Sequence, residues 1–113
     1  MFINLIRTKL TFSNARIIRF PIDIRGKKYI QISKGFTTGI GCRIEAYVKG
    51  NYKTLFIGEN FQMNDYVHIT ALESVKIGKN VQVGANSVIH KDLEDNIIVA
   101  GNPARIIKRI FEE

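Results

Sequence analysis

Three observations in this 113-residue sequence predict an all-β fold wound into about three to four stacked coils and closed by a short C-terminal α-helix. Isoleucine appears 19 times and leucine only 5, and β-branched chains suit a pleated surface better than a helix. From residue 32 to residue 94 an aliphatic side chain recurs at the sixfold positions, eight times in nine, with two phase shifts. After that stretch, Asn102-Pro103-Ala104 precedes a differently spaced apolar run. The whole chain, 1–113, reads as one domain.

Residues 1–31 are read as an irregular N-terminal segment leading into a first coil. Met1–Ile6 is apolar but is followed by Arg7 and Lys9, the reverse of a secretory leader. No apolar run approaches the length of a membrane span. Phe20–Ile32 is β-rich and supplies the less regular first coil.

The regular coils occupy 32–94. Ile32, Thr38 and Ile44 are six apart, as are Ile57, Met63 and Ile69, and again Ile77, Val83 and Ile89. Four residues after these stand Phe36, Cys42, Val48, Phe61, Val67, Glu73, Val81, Ser87 and Leu93, a second mostly apolar column. The phase slips near Gly50–Lys53 and Leu72–Ser74, where loops are expected. A period of six is neither 3.6 nor 2, so no helix face or simple strand face explains it. Six residues do make a short strand plus a corner with one side chain pointing inward. Three such units close a triangular coil, and coils stack through parallel backbone hydrogen bonds. An antiparallel sandwich of short strands is the competing fold, and the Ile-Gly-x-Asn runs at 57–60 and 77–80 argue against it.

The last element is expected over 102–111. Asn102 suits an N-cap and Pro103 the first helical position. Ile106, Ile107, Ile110 and Phe111 would then share one face and cover the open end of the coil stack, whose strand edge otherwise recruits other chains.

The net charge of +7 is uneven: residues 1–53 carry +9 and residues 54–113 carry −2. The basic half suits phosphates, nucleic acid or an anionic membrane surface, or is a solvated face. No nucleic-acid motif accompanies it and aromatics are not interleaved with it, so nucleic acid is not expected. Peripheral contact with a membrane surface stays open. The single Cys42 cannot form an internal disulfide and fits a reducing, cytoplasmic compartment. Two histidines cannot build a three-histidine metal cage, and no metal site is expected.

The segments IGENFQMNDYVHI (57–69), IGKNVQVGANSVIHKDL (77–93) and AGNPARIIK (100–108) resemble the hexapeptide-repeat acyltransferases. Together with RIIRFP and KGFTTGIGCRIEAY in residues 14–47, they look most like the O-acetyltransferases of lipopolysaccharide O-antigen biosynthesis. The resemblance implies a left-handed parallel β-helix, a homotrimer, and acetyl-CoA lying in a groove between subunits with a sugar hydroxyl as acceptor. By the same resemblance, Ala85, His90 and Lys91 fall where the family contacts the pantetheine and its phosphates. Arg105 and Lys108 fall where basic residues meet the nucleotide phosphates, and arginine can pair such oxygens through two parallel hydrogen bonds. Lys91 and Lys108 read equally well as surface residues, and Arg105 as decoration of the capping helix.

One part of the family pattern is missing. Acetyl transfer to a hydroxyl needs a base for its proton and donors for the developing oxyanion. In the family a long histidine-bearing segment follows the coil equivalent to 77–82, whereas here Asn80-Val81-Gln82 runs straight into Val83-Gly84-Ala85. The sixfold phase survives the join, and a solenoid tolerates loss of whole repeats. His68 is the fallback catalytic candidate, against a corner or surface histidine. Asn64 matches a position that the family uses near the acceptor, against a structural corner asparagine. His90 is weaker as a catalyst, and Cys42 is expected in the core. A non-catalytic trimeric solenoid, either a CoA-binding remnant or a partner of a full-length acetyltransferase, is the competing function.

Overall fold

The computed structural model describes residues 2–47 and 53–110. Helix α1 (Phe2–Thr11) leads into three short strands, β1 (Ile22–Arg25), β2 (Ile30–Ile32) and β3 (Thr37–Thr38). The next turns of the coil are β4 (Cys42–Ala46), β5 (Leu55–Ile57) and β6 (Gln62–Met63), then β7 (His68–Ala71), β8 (Val75–Ile77) and β9 (Gln82–Val83). β10 (Val88–Ile89) and β11 (Ile97–Ala100) begin a fourth turn, whose middle side is a single bridge between Ile77 and Leu93. β12 (Arg105–Arg109) ends the described chain.

Every third strand pairs in parallel with the one below it. The three sides of the prism are β1-β4-β7-β10, β2-β5-β8 and β3-β6-β9-β11, the last extended by β12. The register brings the sixfold positions together. Ile32 lies beside Ile57 and Ile57 beside Ile77. Thr38, Met63 and Val83 stack likewise, as do Ile44, Ile69 and Ile89. All nine are buried. The column of Phe36, Phe61, Val81 and Ile97 is wholly shielded, with the Phe36 and Phe61 rings stacked at 5.8 Å. Parallel pairing holds coils about 4.8 Å apart, so identical columns put like side chains in contact.

Corners need unusual backbone. Asn60, Asn80 and Asn96 occupy one stacked corner with φ of 57°, 56° and 60°. Asparagine tolerates the left-handed region, and here its amide also bonds the next coil. Asn60 Nδ2 donates to Asn80 Oδ1 (3.3 Å), and Asn80 Nδ2 donates to Asn96 Oδ1 (2.8 Å). Gly26 is required by both conformation and space: its φ is 77°, and a Cβ there would lie 2.1 Å from the Ala46 carbonyl oxygen.

The C-terminal helix expected over 102–111 is absent from the described part of that segment. Arg105–Arg109 is a strand, antiparallel to β11, with Ala100 opposite Arg105 and Ile98 opposite Lys108. A helix this short gains few hydrogen bonds for the cost of nucleation, whereas the open edge of β11 offers a ready row of donors and acceptors. Isoleucine, being β-branched, also favours the strand. The residues assigned to the helix cap are held by the last coil instead. Gly101 N–H donates to Ser87 Oγ (3.1 Å), and Ala104 N–H donates to the Val88 carbonyl (2.9 Å). Phe111 lies outside the described residues.

Among the described residues the α-helix is at the other end and was not foreseen. After α1, Ile17 bridges Thr37 and so covers the free edge of β3. Among the described residues no helix is long and apolar enough to cross a membrane.

Candidate functional site

The outward face of β1-β4-β7-β10 carries a charged cluster. Strand alternation points Ile44 and Ile69 into the core and leaves Arg43, Glu45, His68 and Thr70 outside. Register then aligns Asp23, Arg43 and His68 in one row and Arg25, Glu45 and Thr70 in the next.

Glu45 is the centre, only 8% exposed. Its Oε1 lies 2.7 Å from His68 Nε2, and its Oε2 lies 3.2 Å from Arg43 Nη2 and 3.9 Å from Arg25 Nη1. The hydrogen bond from His68 holds the Glu45 carboxyl below the usual carboxylate range; burial opposes this, and the charges of Arg43, His68 and Arg25 add to it. An ionised carboxylate accepts only, so Nε2 of His68 carries the proton and donates. Thr70 Oγ1 stands 2.9 Å from the same nitrogen. Whenever the ring is neutral, its lone pair is therefore on Nδ1, and the side chain is 34% exposed.

A carboxyl whose folded pKa is depressed adds stability above its unfolded pKa and loses it as pH falls through the folded value. The unfolding free energy of the protein is therefore expected to drop as pH is lowered through the carboxylate range. Glu45→Gln should flatten that limb, and urea titrations at a series of pH values measure it.

The remaining candidates gather one coil further on. His68 pairs with Val88 and Ile69 with Ile89, so His90 follows on the same face, one strand beyond Thr70. His90, Lys91, Pro103 and Ala104 line a small cleft at the end of β10. Arg105 follows Ala104 directly and stands opposite Ala100. Ala85 sits exposed at the corner between β9 and β10. Lys108, also exposed, is three residues further along β12, about 10 Å away along the strand. Thus the fold brings His90 and Lys91 to one cleft with Arg105 next in sequence to its lining, while Ala85 lies at the preceding corner, across β10, and Lys108 stands apart.

Asn64 and His68 bracket one corner. Asn64 is exposed, and its carbonyl accepts from Cys42 Sγ (3.2 Å). Cys42 itself is 1% exposed, and burial pushes its thiol up, so it is core rather than nucleophile. Among the described residues no group of three or more His, Cys, Asp or Glu could hold a metal ion.

Glu45 was missed by reasoning from residue types. The signal was available in the repeat: stacking Ile44 on Ile69 places Glu45 beside Thr70 and diagonal to His68. Diagonal neighbours on one sheet face lie within reach of long side chains.

No family profile matches the chain. Over 99% of its length it is 29% identical to the inferred lipopolysaccharide biosynthesis O-acetyl transferase of Escherichia coli (strain K12), spanning 90% of that protein. The aligned stretch is 179 positions long and this chain has 113 residues, so at least 66 positions of that relative have no counterpart here. The chain spans less than half the length of the other curated relatives that it matches, among them a galactoside O-acetyltransferase of Escherichia coli (strain K12), 39% identical over 48% of this chain. Among solved structures, the serine acetyltransferase of Neisseria gonorrhoeae superposes with a TM-score of 0.66 at 21% identity, over 88% of this chain and 41% of that one. The maltose O-acetyltransferase of Clostridium difficile 630 does so with 0.59 at 23% identity, over 94% and 75%. The fold is thus the left-handed parallel β-helix of the hexapeptide-repeat acetyltransferases.

Proposed function

Because this chain is a shortened member of the hexapeptide-repeat acyltransferase family, we propose that it binds acetyl-CoA and transfers the acetyl group to a hydroxyl of a surface-polysaccharide sugar. The observation that carries this reading is the Glu45–His68 pair, one strand away from the cleft of His90 and Lys91 on the same sheet face. Glu45 fixes the proton on Nε2, and Nδ1 of His68 takes the acceptor hydroxyl proton as the oxygen attacks the thioester carbonyl. The tetrahedral intermediate collapses, the C–S bond breaks, and the proton returns to the departing CoA thiolate. Lys91 and Arg105 pair with phosphates of the nucleotide, Lys108 reaches its outer part, and Ala85 leaves room for the pantetheine. Asn64 stands at the acceptor end. The working form is a homotrimer, with the donor between neighbouring subunits, acting in the cytoplasm where acetyl-CoA is made.

The sugar acceptor is supported by the O-acetyl transferase names of the relatives. Donor binding is supported by the N-acyltransferase of Bacillus cereus, solved with coenzyme A and a dTDP-amino sugar, which superposes with a TM-score of 0.50 over 94% of this chain. The missing positions favour a second reading, a trimeric CoA-binding solenoid without turnover.

Acetyl-CoA at a hundredfold excess over its dissociation constant should add about 2.7 kcal/mol to stability, read as a rise in melting temperature. Lys91→Ala with Arg105→Ala should abolish most of that rise, and an unchanged rise would overturn the assignment. Release of free thiol with sugar acceptors separates the two readings: turnover supports the transferase, and donor binding without turnover supports the solenoid.

A further inference from the structure

We propose that α1 and the basic hollow beside it form a docking face for the surface of an anionic phospholipid bilayer. The inference does not rest on acetyl transfer. α1 is amphipathic in the reverse of the usual sense. Among its described side chains the buried one is polar: Thr8 is 0% exposed, and its hydroxyl donates to the Ile18 carbonyl (3.2 Å) and accepts from Ile18 N–H (2.7 Å). Ile6 and Leu10, four apart and so on one helical row, point away from that contact and are 49% and 77% exposed. Leu5 adds 37%. A globular helix normally turns such residues inward.

A second observation lies next to it. Beyond the end of α1 opens a shallow, mostly apolar hollow lined by Phe12, Tyr29 and Ile30 together with Lys27 and Lys28. The Lys27 ammonium lies 5.4 Å from the Phe12 ring. On α1 itself, Arg7 packs over Phe20 at 4.2 Å and Lys9 donates to the Ala15 carbonyl at 2.8 Å, and both side chains stay exposed. Exposed apolar groups bordered by lysine and arginine match the boundary between acyl chains and anionic headgroups.

Charge selects among the occupants. Residues 1–44 hold nine Lys and Arg and one acid, Asp23, which is ion-paired with Arg25 and Arg43 on the charged sheet face. A second copy of this chain would bring the same cations to the contact and be repelled, whereas an anionic lipid surface is attracted. Ten residues are half of what a span needs, so α1 lies in the membrane plane with Ile6 and Leu10 dipping into it.

Co-sedimentation of the full chain with vesicles tests this. The chain should bind vesicles of phosphatidylglycerol and phosphatidylcholine, and detach as salt is raised. Lys27→Gln with Lys28→Gln should weaken binding by about tenfold or more. Ile6→Asp with Leu10→Asp should weaken it at least as much while leaving the melting temperature and any acetyl-CoA-induced rise unchanged, because both side chains are exposed. Three results would overturn the proposal: no binding to the anionic vesicles, equal binding to pure phosphatidylcholine, or an Ile6→Asp/Leu10→Asp variant that binds as well as the parent. A fall in light-scattering mass in that variant without loss of vesicle binding would assign the face to contact between copies instead.

Discussion

Replacing Phe61 with alanine is expected to lower the unfolding free energy by about 3 to 5 kcal/mol and the melting temperature by more than about 10 °C. Phe61 is wholly buried and lies midway along a column, with the Phe36 ring stacked on one side and Val81 following in the next coil. Truncation removes a large apolar surface and leaves a cavity that rigid strands on three sides cannot close. The loss would be a large part of the 5 to 15 kcal/mol that typical domains possess. Phe56 is the control. It sits on β5 between two buried neighbours, but its own side chain faces outward and is half-buried, with the Lys76 ammonium 6.0 Å from its ring. Phe56→Ala should cost well under half as much. Chemical unfolding of the two variants decides the matter, and equal losses would mean that the corner columns are not the core of the prism.

The middle of the fold was legible for a physical reason. Where each coil touches only the coils above and below, inward positions must repeat along the chain at the length of one side. Ile57, Met63 and Ile69 could therefore be placed by counting, and their stacking on Ile77, Val83 and Ile89 follows. The ends obey no such repeat. The apolar spacing of residues 106–111 fits a helix as well as a strand, and the choice fell to the unpaired edge of β11, which lies elsewhere in the chain. α1 was overlooked because the side chain that docks it is Thr8, while Ile6 and Leu10, which share a helical row, face out, so apolar spacing gives no guide to how it packs.

The site divides in the same way. His68 could be singled out by type, since few other side chains take a proton near neutrality. Its partner depends on register. The step from Arg43 to His68 is 25 residues, whereas the step from His68 to Val88 is 20. The longer step contains the interruption around residue 50, and only after it is counted does Glu45 fall beside the ring.

That register makes the second large effect testable. His68→Ala is expected to reduce acetyl transfer by a factor on the order of 100 to 10,000, the usual contribution of a positioned general base. Melting temperature should change little, because the ring is partly exposed and Ile69 keeps the column filled. Glu45→Gln is the more informative variant. A neutral amide can still accept from Nε2–H, but it no longer holds the ring by charge, and it leaves Arg43 and Arg25 without their carboxylate. Turnover should fall less than in His68→Ala, with kcat affected more than the KM for acetyl-CoA, since Glu45 touches the proposed base and not the proposed donor cleft. If His68→Ala transfers acetyl groups as fast as the parent, the base lies elsewhere and the pair is only an ion pair on a sheet face. If both variants lose turnover equally and unfold early, Glu45 and His68 serve the fold, and the rescue expected from Glu45→Asp, which restores the charge, would not be seen.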